Sequence, residues 1–446
     1  MTARVIDVGR MLDAAAWNGY QKYVVGIVAL ALLFDGLDSQ ILGLAIPALI
    51  ADWGVTRADL APTVAAGLLG MGLGTVVGGW AADRIGRKWS LILSVALFGI
   101  ATAASALVDT VGALGGARFI VGLGLGGALP AATAMIAEFT PARSRSIGIA
   151  IGMVTIPVGS MLGSLISAAL IEDFGWRTLF AIGGVLPVML AFGLVWLLPE
   201  SPRFLVGRPE RRRELREILA NAGCGAIEDD VVLQPEPASS GARAPLAALL
   251  GPDTRRDTLL AWLAFFLTML VLYTVVSWGP AMLASEGFAL SFTGSALAAF
   301  ALGGIVGAVV SGVLVGRFGS RASQLGLGGG GAVVAGALAV SFSGGAPELG
   351  TVLALIAAFG FAVTGMQNSM YILSAHLYST AVRGTGIGAA LTVARLGAVV
   401  SAFTGAIAVD LGGGPLYFGS LAIGIACAGI AAASVRGAVP AMTRRM

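Results

Sequence analysis

Twelve times along this chain an apolar stretch runs for about the 20 residues that a helix needs to cross a lipid bilayer. The stretches fall at 24–50, 61–81, 89–109, 113–137, 146–170, 178–198, 258–283, 291–315, 322–343, 349–373, 385–409 and 415–435. Hydrocarbon offers no partner to a backbone N–H or C=O, so each run can cross only as a helix that satisfies its own backbone. Of the 446 residues 57% are hydrophobic and 11% charged, against about 25% charged in a soluble domain. The chain therefore reads as an all-α polytopic membrane protein.

Basic residues set its orientation. Arg4, Arg10 and Lys22 precede the first run, Arg84, Arg87 and Lys88 follow the second, and Arg143 and Arg145 follow the fourth. Further arginines crowd the loop between runs six and seven, and Arg317, Arg321, Arg383, Arg436, Arg444 and Arg445 lie on the same side. The opposite side holds Arg57 and Arg177. By the positive-inside rule both termini are expected in the cytoplasm. The net charge of +3 then reports orientation and gives no reason to expect a nucleic-acid partner. The first run is too long for a cleaved leader, and Asp7 and Asp13 interrupt its basic flank, so it is expected to remain as a span. Cys224 in the loop and Cys427 in the last run are not expected to pair.

Six runs, a polar loop and six more runs imply an internal duplication, with halves at 1–200 and 258–446 joined by a linker at 201–257. "GGWAADRIGRK" (Gly78 to Lys88) after run two is echoed by "SGVLVGRFGSR" (Ser311 to Arg321) after run eight, pairing Gly79 with Gly312, Arg84 with Arg317 and Gly86 with Gly319. Asp83 has no acidic counterpart, since Gly316 stands there. The linker, rich in Arg and Glu, reads as solvated with one short amphipathic helix. Gly122 and Gly126, Gly148 and Gly152, and Gly159 and Gly163 sit at the four-residue spacing that lets helices in lipid approach closely. "GLGLGG" (Gly122 to Gly127) and "GLGGGG" (Gly326 to Gly331) fit a dinucleotide fingerprint, but that motif needs a strand before it and water around it. Both lie in or against apolar runs and are excluded.

Four charges stand inside the runs. A charge at mid-span costs about 2.5–3.5 kcal/mol on insertion scales, so each needs a reason. Asp35 and Asp38 in "FDGLDSQ" project from nearly one helix face, with Gly36 and Gly43 allowing a neighbour or substrate to come near. Desolvation and mutual repulsion favour their protonated forms, so at least one is a candidate proton carrier, the alternative being static pairing with a buried arginine. Arg118 and Arg395 stay charged and must meet a carboxylate from the protein or a ligand; a mid-membrane guanidinium suits an organic acid. Thr364, Gln367, Tyr371 and Ser374, with Asn368 beside them, form a polar stripe in run ten, and Tyr273, Ser277 and Trp278 a group in run seven. These fit either a cavity able to hold a planar ring or ordinary interhelical packing.

Twelve runs, the central loop, "GGWAADRIGRK", "RFIVGLGLG" (Arg118 to Gly126) and "PESPRFL" (Pro199 to Leu205) together resemble the major facilitator superfamily over essentially the whole chain. "DGLDSQ" is similar to the D-G-x-D segment of the aromatic acid:proton symporters. "GLGLGGALPAATAMIAEFTPARSRS", "YSTAVRGTGIGAALTVARLGAVV" and "SWGP" resemble other parts of that family, with Ser379 where a proline is usual and Gly279 where a leucine is. The resemblance implies two six-helix halves and proton-coupled uptake that requires Asp35 and Asp38. It also implies a cytoplasmic gate of Asp83, Arg84, Arg87 and Lys88, joined by Glu138.

The reading is a proton symporter that imports a small aromatic acid, with the ring near Tyr273, Trp278, Gln367, Asn368 and Tyr371 and the carboxylate on Arg395. The role of Arg118, as a substrate contact or a structural charge, stays open. Implied with it are a bacterial inner-membrane location, protons as the coupling ion, no cofactor or metal, and a monomer as the working unit. Carriers of other organic acids or sugars, exporters of drugs or acids, and a non-transporting sensor would share the fold. An enzyme is not expected, because the only histidine, His376, has no nucleophile or metal cluster beside it.

Overall fold

The computed structural model describes residues 5–224, 232–234, 249–251, 254–344, 347–378 and 383–440. Ser379 and most of the linker beyond residue 224 lie outside the described residues. Among the described residues are nine helices long and apolar enough to cross a membrane. Three of them are broken pairs. Arg145–Leu197 breaks at Gly175, Leu290–Ser343 at Gly319, and Arg383–Ala433 at Gly412 and Gly413. Twelve spans result, one for each apolar run. Spans one to four are Gly19–Trp53, Arg57–Ile85, Arg87–Ser105 and Val111–Phe139, span seven is Arg255–Ser285 and span ten is Leu349–Leu377. Spans five and six, eight and nine, and eleven and twelve are the three broken pairs.

Several helices outrun their apolar stretches because polar caps extend them. Asn18 and Gln21 cap span one reciprocally, each backbone N–H donating to the other's side chain at 3.0 Å. Thr56 and Asp59 do the same for span two. Capping boxes satisfy orphan N–H groups at the membrane edge, beyond the reach of a hydropathy pattern.

The glycine spacing is realised as backbone contact. A Cβ on Gly36 would fall on the carbonyl of Ile156 in span five, and Gly159 and Gly163 meet Leu33 and Leu37 in return. Gly43 rests on the carbonyl of Val276 in span seven. Gly36→Val is therefore expected to lower stability by about 1–3 kcal/mol, as overfilled cores do. Gly79→Ala, with nothing within 4 Å of the added methyl, should melt like the parent in detergent; equal melting of both variants would refute the close contact. The internal echo also has a backbone meaning. Gly86 and Gly319 occupy matching turns with φ of 101° and 79°, the left-handed region that favours glycine.

The linker helix is present as Arg212–Asn221, burying Leu215, Ile218 and Leu219. One departure from an all-α chain is a three-residue parallel pairing of Val5–Asp7 with Val232–Gln234. A pairing this short has no periodicity to read.

Burial shows how the halves meet. One apolar core runs from the first half (Leu37, Leu44, Leu68, Ile171, Phe180) into the second (Phe265, Trp278, Phe300, Ala402). Toward the terminal face the first half has a core of its own, including Val24, Phe98, Met135 and Leu219. Ala261, Leu373 and Val435 form a separate small core in the second half. Ion pairing follows the same division, with Arg57 of span two bonded to Asp410 of span eleven at 2.7 Å and Ser291 N–H donating to Glu172 at 3.0 Å, both on the far face. Both contacts tie the halves together on the face opposite the termini.

Candidate functional site

Span one carries Asp35 and Asp38 into the seam between halves, and the two carboxylates have different surroundings. Asp38 is wholly buried. Thr102 Oγ1 of span three donates to its Oδ1 at 2.6 Å, and Arg118 Nη2 of span four reaches its Oδ2 at 3.2 Å. Static pairing with a buried arginine thus describes Asp38. Arg118 is also placed over the Phe180 ring, 5.9 Å from its centroid. Asp35 is 6% accessible, has no hydrogen bond or ion pair to a described residue, and lies within electrostatic range of Asp38 and Arg395.

Arg395 comes from span eleven of the other half. Its Nη1 is 2.7 Å from Met71 Sδ and 3.3 Å from the Tyr273 hydroxyl, and among the described residues it has no carboxylate partner. A thioether and a phenol are weak acceptors beside a carboxylate. Met71 belongs to span two, so this contact crosses between the halves. Gln367 and Tyr371 of span ten lie on the same side. The Tyr371 ring meets Phe265 edge-on at 5.6 Å and is 37% accessible.

Two of the expected ring contacts have partners elsewhere in this arrangement. Trp278 has no accessible surface and is packed against Gly405 of span eleven, so it cannot touch a ligand in this arrangement. Asn368 Nδ2 donates to Ala308 O and Ser311 Oγ of span eight, both at 2.9 Å. Thr364 also faces span eight, against Gly304. The polar stripe of span ten thus divides, Thr364 and Asn368 meeting span eight and Gln367 and Tyr371 meeting span seven, at Met269 Sδ (3.9 Å) and the Phe265 ring.

The residues expected to form a gate also divide. Arg87 pairs with Asp83 at 3.2 Å and Glu138 at 3.4 Å, and Glu138 accepts from Ser201 Oγ. Lys88 and Arg84 do not join them. Lys88 Nζ donates to Val195 O at 2.7 Å, and Arg84 stacks on Trp80 at 4.4 Å. Glu200 accepts from the N–H of Lys88 at 3.0 Å and of Ser201 at 2.8 Å. Burial outweighs these bonds and lifts its carboxyl above the usual range. Every partner of this cluster named here belongs to the first half.

Comparison with known proteins agrees with this architecture. The family model described as Major Facilitator Superfamily matches residues 28–402. The chain belongs to the Major Facilitator Superfamily.

This facilitator is 34% identical to the 4-hydroxybenzoate transporter PcaK of Pseudomonas aeruginosa, over 91% of this chain and 90% of that one. It is 34% identical to the gallate transporter of Pseudomonas putida (93% and 91% covered) and 32% identical to the 3-(3-hydroxy-phenyl)propionate transporter of Escherichia coli (93% and 90% covered). In fold it matches the xylose transporter XylE from Escherichia coli with a TM-score of 0.74 at 20% identity, covering 95% of this chain and 98% of that one. The resemblance read from "DGLDSQ" and its companion segments therefore extends along the facilitator's length.

The sequence did not mark Met71 or Thr102. Met71 is one more apolar residue in "GLLGMGLG", and a threonine in a span ordinarily bonds its own helix, as Thr268 and Thr274 do at 2.8 and 2.7 Å. Only the tertiary arrangement assigns them.

Proposed function

We propose that the protein is a proton symporter that imports a small aromatic carboxylate of the hydroxybenzoate kind by alternating access. The observation that carries this reading is Arg395, a guanidinium inside a span at the junction of the halves, with a thioether and a phenol for neighbours. A carboxylate is the partner such a group lacks. Tyr273, Gln367 and Tyr371 flank it and can receive a planar ring. The names of the relatives, transporters of 4-hydroxybenzoate, gallate and 3-(3-hydroxy-phenyl)propionate, support the substrate class.

The charge inventory supports proton coupling. Asp35 and Asp38 against Arg118 and Arg395 leave the spans neutral when the carrier is empty. A substrate anion on Arg395 adds one negative charge, and one proton on Asp35 removes it. Either ligand alone leaves a net charge in the site, and moving that through a low-dielectric core costs several kcal/mol. Asp38 is fixed by Arg118 and Thr102, so Asp35 is the carboxylate free to take the proton. Loaded and empty carriers cross neutral, which couples one proton to each monoanion.

In this reading the termini face the cytoplasm of a bacterial inner membrane, supported by the distribution of Lys and Arg. The structure is then the inward-open state, and Asp83, Arg87 and Glu138 form the gate that engages the second half when the carrier turns outward. One chain holds the whole pathway and works as a monomer, without cofactor or chemistry on its substrate. The test is uptake by proteoliposomes under an inward proton gradient of labelled 4-hydroxybenzoate, gallate, benzoate, cis,cis-muconate and glucose. Accumulation of an aromatic acid is expected, and accumulation of glucose or muconate alone would overturn the substrate class.

A further inference from the structure

Between the halves, on the Arg118 side of Tyr273, lies a small cavity lined by Ser39, Met71, Arg118, Gly122, Tyr273 and Ser277 among others. Its polar groups are incompletely matched. Arg118 is 5% accessible and gives one nitrogen to Asp38, while its Nε and Nη1 have no partner among the described residues. Ser277, 9% accessible, makes no hydrogen bond to a described residue, unlike Thr268 and Thr274, which bond back to their own helix one turn earlier. Ser39 donates to Gly36 O at 2.6 Å, accepts from Gln40 Nε2 at 3.3 Å and lies 3.3 Å from Ser160 Oγ, which leaves one lone pair able to accept. Buried polar groups in this state favour a ligand that supplies their bonds.

Tyr273 touches Arg395, and Ser277 is one helical turn further along the same span, a rise of about 5.4 Å. A benzene ring whose carboxylate is on Arg395 and which extends past Tyr273 and Met71 brings its far substituent toward Ser277, Ser39 and Arg118. Because Asp38 already neutralises Arg118, that end of the cavity has no excess positive charge. It suits a neutral group that both donates and accepts. Resting on the proposed binding of an aromatic acid at Arg395, we infer that Ser277, with Ser39 and the unpartnered nitrogens of Arg118, forms a specificity subsite for a ring hydroxyl remote from the carboxylate. The preferred substrates are then hydroxylated aromatic monocarboxylates, ahead of benzoate and of acids with a second carboxylate.

The experiment is equilibrium binding of 4-hydroxybenzoate, benzoate and benzene-1,4-dicarboxylate to the purified carrier and to Ser277→Ala, Ser277→Thr and Ser39→Ala. The parent should prefer 4-hydroxybenzoate to benzoate by about tenfold or more, since buried donors left unmatched penalise the ligand without the hydroxyl. Ser277→Ala should erase most of that preference with little change for benzoate, Ser277→Thr should keep much of it, and Ser39→Ala should reduce it. The dicarboxylate should bind no better than benzoate. If the parent binds no aromatic acid, the proposed function falls and this inference with it. If it binds them without a hydroxyl preference, or Ser277→Ala leaves the preference intact, or the dicarboxylate binds as well as 4-hydroxybenzoate, the subsite alone is refuted.

Discussion

Replacing Asp35 by asparagine should yield a carrier that exchanges aromatic acid for aromatic acid across a membrane yet cannot accumulate it. Asparagine fixes the site in the charge state it has when protonated. A substrate anion on Arg395 then restores neutrality and the loaded carrier still turns. The empty carrier is left with an uncompensated positive charge, which costs about 2.5–3.5 kcal/mol at mid-span and slows return by about 100-fold, since about 1.4 kcal/mol is a factor of ten. Counterflow with labelled 4-hydroxybenzoate should therefore persist while gradient-driven uptake disappears. Asp38→Asn should behave differently. It breaks the buried bond to Arg118, and removing one partner of such a pair costs about 3–5 kcal/mol. That variant should lose thermal stability as well as transport. Uphill uptake by Asp35→Asn at the parent rate, or equal melting behaviour of the two variants, would contradict the division of labour between the carboxylates.

The second large effect concerns Arg395. Truncating one member of a buried charge pair weakens binding by about 2–5 kcal/mol, so Arg395→Gln should bind 4-hydroxybenzoate at least 30-fold less tightly. Arg395→Lys keeps the charge and loses the planar fork, and its affinity should be intermediate. Stability should change little, because Arg395 has no carboxylate partner among the described residues, whereas Arg118→Gln should destabilise the protein by stranding Asp38. Equilibrium binding and thermal unfolding on the same purified samples separate the two arginines. Parental affinity in Arg395→Gln would remove it from the site.

How much could be read from the chain depended on the kind of interaction. The twelve spans were legible because hydrocarbon imposes one solution on every apolar run, and Gly86 and Gly319 show the duplication surviving in backbone conformation. The four intramembrane charges stood out for the same reason, since lipid makes each of them expensive. What the sequence did not assign was partnership. Nothing in the order of residues joins Asp38 to Arg118 and leaves Asp35 without a bond, because span three and span four are brought to span one by tertiary packing. Trp278 and Asn368 resemble cleft residues by spacing, yet a helix in a bundle has several buried faces, and theirs meet spans eleven and eight. Met71 shows the converse, a residue without chemical distinction that acquires a role by facing Arg395 across the seam.

The most direct test is the ratio of protons to substrate. Parent carrier in tight proteoliposomes should take up labelled 4-hydroxybenzoate while a trapped pH indicator and a voltage-sensitive dye report proton entry and membrane potential. One proton per anion, with no potential developed, is the result that follows from two aspartates and two arginines balanced within the spans. Uptake without proton entry, or one that builds a membrane potential with each anion, would show that the four charges do not set the coupling.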